Sequence, residues 1–264
     1  MPDTNTKPTE EPHFGRTAAS YATHRLGFPA SMYARLAGEN ILKRGMKHLD
    51  LGTGTGTIAR NTAAMGLHSE GLDIDTTMLA EAERLTAEQG LNATFREGPA
   101  EKTGVNTECL DLVTAGQCWH WFDRSATATE ALRVLKPGGH LAICHYDWLP
   151  LKGNAVEATE SLILKYAPNW QAAGGNGVYP WWFRDMAEAG FVNIQSFSYD
   201  EPAVYSHQAW VGRIEASAGI AALEPDTRDA FKEDLLVLLA KNFPLNPLYV
   251  AHRVFCVWGE KNAR

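Results

Sequence analysis

The chain has 264 residues, 45% hydrophobic and 21% charged, with a net charge of −7 at neutral pH. That length is enough to bury the core of one large domain, and the acidic balance excludes the basic face that nucleic-acid binding needs. Four scattered cysteines (Cys109, Cys118, Cys144 and Cys256) make no C-x-x-C pair, and no histidine lies at metal-ligand spacing. They read as reduced thiols of a cytoplasmic protein without a metal.

In chain order, residues 1–12 are polar with three prolines and predict a disordered tail, neither a signal peptide nor a membrane anchor. No later segment is long and apolar enough to span a bilayer. Phe14 to Leu42 has helical periodicity broken at Gly27-Phe28-Pro29. A strand is expected over 47–51, a helix over 57–65, a strand over 68–74 and a helix over 76–89 with Thr76 or Thr77 as its N-cap. Strands at 93–97 and 109–115 follow, then a helix at 125–134. A tight Lys136-Pro137-Gly138-Gly139 turn is expected to feed a fifth strand at 140–145. This alternation predicts parallel βαβ units, an α/β fold with a Rossmann-like, doubly wound, mostly parallel sheet. Beyond Pro150 the alternation stops. Helices are expected at 156–166 and 182–190 and through most of 205–243, with strands at 191–199 and 249–259. The whole of 13–264 reads as a single domain in which 13–42, 151–180 and 205–247 form a helical cap.

The most informative stretch is His48-Leu49-Asp50-Leu51-Gly52-Thr53-Gly54-Thr55-Gly56-Thr57, a strand end, a glycine-rich loop and a helix start. Glycines let the backbone turn sharply and let a ligand lie against it, and the helix start offers unpaired N–H groups. Asp50 ends the first strand, and Asp73 ends the second about 20 residues on, where an acidic side chain can take both ribose hydroxyls. A ligand with a ribose and an ammonium group would use both carboxylates, and S-adenosylmethionine has both.

Six ordered motifs carry a resemblance to class I S-adenosylmethionine-dependent methyltransferases. They are Asp50-Leu-Gly-Thr-Gly-Thr-Gly, Gly71-Leu-Asp73-Ile74, Met78-Leu79, Gly98-Pro-Ala100-Glu101, Asp111-Leu-Val with Gln117 and His120-Trp121-Phe122, and Leu132-Arg-Val-Leu-Lys-Pro-Gly-Gly. The chain is similar to the small-molecule, type 11 branch, which includes trans-aconitate methyltransferase-like proteins. The resemblance implies a cofactor site of Asp50, Gly52, Thr53, Gly54, Gly56, Asp73, Ile74, Met78, Ala100, Glu101 and Gln117. Tyr21 and Arg25 resemble the family's N-terminal cofactor cover. Pro99 stands where the family often has an acid.

The implied activity is methyl transfer to a small-molecule acceptor, with O-methylation of a carboxylate or hydroxyl favoured over N- or C-methylation of a natural product. S-adenosylhomocysteine would be the product. His120 and His145 are the candidate general bases, because imidazole suits deprotonation near neutral pH. Trp119, Tyr146, Trp148, Trp181 and Trp182 are candidates for an aromatic acceptor pocket, and Arg184 or Arg213 for pairing an acceptor anion. Two other classes fit parts of the pattern. Gly54-Thr-Gly56-Thr-Ile-Ala59 with Asp73 also suits an NAD-dependent dehydrogenase, but no Tyr/Lys or His/Asp catalytic set accompanies it. A non-catalytic S-adenosylmethionine-binding scaffold would keep the same loop.

Overall fold

The computed structural model describes residues 27–263. Tyr21, Arg25, the tail at 1–12 and the first helical piece expected after Phe14 lie outside those residues. Strands β1 (Lys47–Leu51), β2 (His68–Asp73), β3 (Ala93–Glu97), β4 (Leu110–Gly116), β5 (Leu135–Trp148), β6 (Phe191–Asp200) and β9 (His252–Lys261) form one sheet. Its order is β3-β2-β1-β4-β5-β9-β6. The neighbours from β3 through β5 are parallel, and β9 runs antiparallel between β5 and β6. The α/β, Rossmann-like and mostly parallel fold is therefore as expected.

The crossovers come from α2 (Thr57–Ala64), α3 (Thr76–Glu88) and α4 (Arg124–Val134), preceded by α1 (Ala30–Gly38). In β1 the residues His48, Leu49, Asp50 and Leu51 are all buried, as expected of a parallel strand covered on both faces. One apolar cluster joins α1, α5 (Ala155–Tyr166), α7 (His207–Glu215) and α9 (Pro225–Asn242) to one face of the sheet. A second joins α4 and α6 (Trp181–Ala189) to the other face. The short helix α8 (Ala218–Ala221) lies between α7 and α9.

Three local differences from the sequence expectation have clear causes. The N-cap of α3 is Asp75, not Thr76 or Thr77; its carboxylate accepts from the N–H groups of Thr77 and Met78 at 2.9 and 3.2 Å. A charged acceptor one residue earlier outcompetes a hydroxyl there. Lys136–Gly139 is a bulge within the 14-residue β5 rather than a separate turn, since Leu110 pairs Leu135 and Leu112 pairs His140. The last apolar stretch is two strands. β8 (Leu248–Val250) pairs with β7 (Ala203–Tyr205) in a separate two-stranded sheet, and only β9 enters the main one.

Candidate active site

The loop between β1 and α2 opens a cleft of about 530 Å³, counted to its solvent mouth, at the carboxyl edge of the sheet. Phe28, Asp50, Gly52, Thr53, Gly54 and Gln117 are among its walls. Gly52 has φ +58°, and a Cβ there would lie 2.9 Å from both the Cys118 sulfur and the Phe122 ring. No other residue type fits that position without moving the next loop. Gly56 does not line the cleft. It starts α2 at φ +76°, where a Cβ would meet the Phe95 ring at 2.8 Å, so packing against β3 demands glycine. Gln117 keeps a left-handed φ of +59° despite its side chain, and its Nε2 donates to the Tyr146 carbonyl at 2.6 Å.

Asp50 lies at the floor of this cleft. Its two oxygens accept from the Thr114 and Thr53 hydroxyls at 2.6 and 2.7 Å. No cation among the described residues pairs with it, and burial pushes its carboxyl up to about 7 despite those two bonds. Behind it, His48 Nε2 meets the Thr114 hydroxyl at 2.8 Å. Because Thr114 spends its proton on Asp50, His48 must donate from Nε2, which leaves Nδ1 to accept from the Thr62 or Ser69 hydroxyl. Burial pulls His48 down to about 3, so it stays neutral. Sequence reasoning missed His48 and Thr114. The signal was a histidine two residues before Asp50 in an apolar strand, hence on the same face.

Asp73 accepts from the Gly54 N–H at 2.7 Å and the Asp75 N–H at 3.0 Å. Burial raises its pKa, against those two backbone bonds. Each carboxylate oxygen can accept again, so both keep room for a ligand hydroxyl. Ile74 beside it is exposed, whereas Met78 is buried beneath Gly54 and supports the loop from below. Ala100 is buried in the second apolar cluster. The Glu101 carboxylate accepts from the Asp123 N–H at 3.0 Å, just before α4.

The two candidate bases lie close together. His120 is exposed in a 3₁₀ turn (Trp119–Trp121), its ring centre 5.5 Å from that of buried His145. His145 Nδ1 faces the Asp147 carboxylate at 3.1 Å, and Asp147 also accepts from the Tyr179 hydroxyl at 2.5 Å. Burial works against the Asp147 charge, but His145 and Tyr179 hold its carboxyl down to about 2. With Nδ1 donating to Asp147, His145 presents a bare Nε2 lone pair, and that buried atom has no hydrogen-bond partner. Asp147 went unnoticed in the sequence, although the i, i+2 spacing puts it on the same face of β5 as His145.

The expected aromatic wall divides. Trp119 is 0% exposed and donates from Nε1 to Asp185 at 3.0 Å, and Trp182 is 2% exposed, stacked on Tyr179 at 4.0 Å. Both side chains are buried in the second apolar cluster, Trp182 as part of α6 itself. Trp181, next in that helix, faces outward and is 49% exposed. Tyr146 and Trp148 stay near the carboxyl edge; the first donates to the Glu201 carbonyl and the second to the Glu160 carboxylate. Arg184 is tied to Glu188 on the surface, whereas Arg213 rests over the Trp148 ring.

A mostly parallel seven-stranded sheet with an antiparallel strand beside β5, and a glycine-loop cleft at the end of β1, is the Rossmann-like architecture of class I methyltransferases. Residues 49–143 match the family model described as "Methyltransferase domain". An uncharacterized methyltransferase of Schizosaccharomyces pombe is 32% identical over 130 residues, 49% of this chain and 51% of that protein. A malonyl-[acyl-carrier protein] O-methyltransferase of Brevibacillus brevis is 29% identical over 139 residues, 48% of this chain and 49% of the relative. The chain thus spans about half the length of these curated relatives. A solved structure from Anaeromyxobacter dehalogenans, provisionally named a type II methyltransferase, superposes with a TM-score of 0.67 at 20% identity, covering 91% of this chain and 99% of the other.

Proposed function

We propose that the chain is an S-adenosylmethionine-dependent methyltransferase acting on an oxygen of a small molecule. The observation that carries this reading is Asp50, a buried carboxylate that meets no counter-cation among the described residues, at the floor of the glycine-loop cleft. Such a group is costly unless a cationic ligand answers it. An ammonium does so, while a dinucleotide brings only negative charge to this loop.

Asp50 holds the ammonium of the cofactor's methionine part, Asp73 takes its ribose hydroxyls, and Gly52, Thr53 and Gly54 offer the backbone against which it lies. Gln117 closes the side toward β5. Ile74, Ala100 and Glu101 border the adenine, and Met78 supports the loop. Bound there, S-adenosylmethionine supplies an electrophilic methyl group, and S-adenosylhomocysteine is left. The segments 151–180 and 205–247 exclude water and select the acceptor.

His145 is the base we assign, with Asp147 holding its tautomer and the free Nε2 receiving the proton of an acceptor hydroxyl. His120 orients the loop beside it. Removal of the base separates the two favoured acceptors. Substituting His145→Gln would slow methylation of a hydroxyl by a factor of about 10² or more and leave a carboxylate acceptor nearly untouched.

Titration calorimetry of the purified protein with S-adenosylhomocysteine, and separately with NAD, tests the cofactor. One-to-one binding of the first alone is expected. Binding of NAD with no response to S-adenosylhomocysteine would sink the methyltransferase reading in favour of a dehydrogenase. Cofactor binding without methyl uptake by any of a panel of acids, phenols and amines would favour a scaffold.

A further inference from the structure

A polar seam crosses the apolar centre of the sheet directly behind the cleft. His48 of β1 lies between Ser69, its register partner on β2, and Thr114 of β4, which pairs with Asp50. Thr62 of α2 closes the seam from the helix layer, and all four side chains are buried. His48 Nε2 meets the Thr114 hydroxyl at 2.8 Å, and its Nδ1 meets Thr62 at 3.0 Å and Ser69 at 3.2 Å. The Thr62 and Ser69 hydroxyls meet each other at 2.9 Å, and Thr62 also reaches the Ile58 carbonyl at 2.9 Å. Leucine or valine would pack a parallel strand covered on both faces at lower cost, so a seam of linked polar groups here points to a role beyond packing.

These bonds have two self-consistent settings. With Asp50 ionised, Thr114 donates to it, His48 donates from Nε2 to Thr114, and Nδ1 accepts from Thr62 or Ser69. With Asp50 protonated, its hydroxyl donates to Thr114, which turns its own proton toward Nε2. The imidazole proton then sits on Nδ1 and points to Ser69 or Thr62, whose hydroxyls pass on to each other and to the Ile58 carbonyl. Every donor keeps an acceptor in both settings. The second holds one proton more, on Asp50, and the imidazole stays neutral in each, since burial keeps His48 down at about 3. Among the groups around Asp50, burial opposes its charge most and Asp73 of β2 adds to that; Thr114 favours it most, ahead of Thr53 and the Ala59 amide of α2. Tyr33 of α1 lies close enough to feel that charge, with a hydroxyl that burial keeps protonated, and Arg60 of α2 acts on Tyr33 and Glu81. We propose that His48 is a positioning residue for the cofactor: through Thr114 it turns and holds the Asp50 carboxylate as an anion for the incoming ammonium, and its tautomer switches with the charge of Asp50. The inference rests on the methyltransferase reading and deepens it by naming what governs the ammonium site.

The test uses the full chain with isotope-labelled histidine, read by NMR across the titration of Asp50, together with calorimetry of S-adenosylhomocysteine binding over the same pH range. In the free wild type the His48 proton should lie on Nε2 above the Asp50 midpoint of about 7 and move to Nδ1 below it, and S-adenosylhomocysteine should restore Nε2. His48→Leu removes the donor to Thr114 and should raise the pH at which affinity falls by about one unit. Its affinity should therefore be about tenfold below wild type at about pH 6 and within about twofold of it at about pH 9. His48→Gln, whose amide can donate in place of Nε2, should recover most of the loss at the lower pH. One tautomer throughout the range, an equal loss of affinity at both pH values, or a loss in His48→Gln as large as in His48→Leu overturns the proposal. If neither variant folds, seen as a missing thermal transition, the tautomer of the wild type decides alone. Failure of the wild type to bind S-adenosylhomocysteine counts against the methyltransferase reading itself, while the tautomer of the free protein still judges the coupling of His48 to Asp50.

Discussion

The cleft at the ends of β1 and β2 and the aromatic region at the ends of β5 and β9 sit on one sheet edge but are made differently. In the first, the backbone does most of the work: the Gly54 N–H meets Asp73, the Thr53 N–H meets the Leu72 carbonyl, and a left-handed Gly52 clears the Cys118 loop. In the second, side chains from distant segments meet each other, as in Trp148 with Glu160 and Arg213, or Asp147 with His145 and Tyr179. A backbone-built site tolerates few residue types and suits one unvarying ligand. A site built from side chains can be respecified one contact at a time without disturbing the sheet.

Substitutions in the first region should therefore cost most. Asp73→Ala is expected to weaken S-adenosylhomocysteine binding about 100-fold, since it removes the ligand acceptor and leaves the Gly54 and Asp75 N–H groups unanswered. Calorimetry reads this directly, and an unchanged affinity would mean that the ribose site has been misplaced.

Asp50→Asn should cost about tenfold in affinity while making the unliganded protein more stable. The sign follows from linkage. The Asp50 carboxyl stands near 7 when folded, above its ordinary 3.8, so the unfolded chain releases that proton first as pH rises. Its contribution to stability is complete below 3.8 and is lost as pH climbs through 7. In paired denaturant melts the advantage of Asp50→Asn should grow over that interval and then level off. Wild-type affinity for the cofactor should rise over the same span as the carboxylate ionises. A flat pH profile for both would remove Asp50 from the ammonium site.

The second region should yield smaller effects on a different observable. Trp119→Phe loses the bond to Asp185 and part of a filled interior, and a destabilisation of about 1–2 kcal/mol is expected in denaturant melts, with cofactor affinity unchanged. Trp181→Ala, on the outer side of α6, should shift stability by less than about 0.5 kcal/mol. A large effect of Trp181→Ala on acceptor turnover would blur the division between the two regions.

The same contrast explains what could be read from the chain before its structure. Asp50, Gly52, Thr53, Gly54 and Gln117 meet at one cleft because a short strand, a glycine loop and a parallel neighbour leave little freedom in where they go. The sheet was legible for the same reason, from alternation and spacing. Tryptophan carries no such positional message: Trp119, Trp181 and Trp182 share composition and context, yet two are enclosed and one is on the surface, decided by which way α6 turns. The pairing of β7 with β8 spans more than 40 residues of intervening chain and leaves no local trace. Nor does periodicity reveal that Thr114 joins His48 to Asp50, since that contact crosses between neighbouring strands.

The placement of β9 also orders events during synthesis. β2 to β5 can each pair as they leave the ribosome, because each finds a partner already made: β2 pairs with β1, β3 with β2, β4 with β1 and β5 with β4. β6 has only β9 to bond to, and β9 emerges about 50 residues later, after α7 to α9. Until then β5 presents a bare edge on which His145 to Trp148 lie unpaired, the very residues β9 will match with His252 to Phe255. The half around the glycine loop can thus take shape on the nascent chain, while the half around β5 and β6 waits for its final strand.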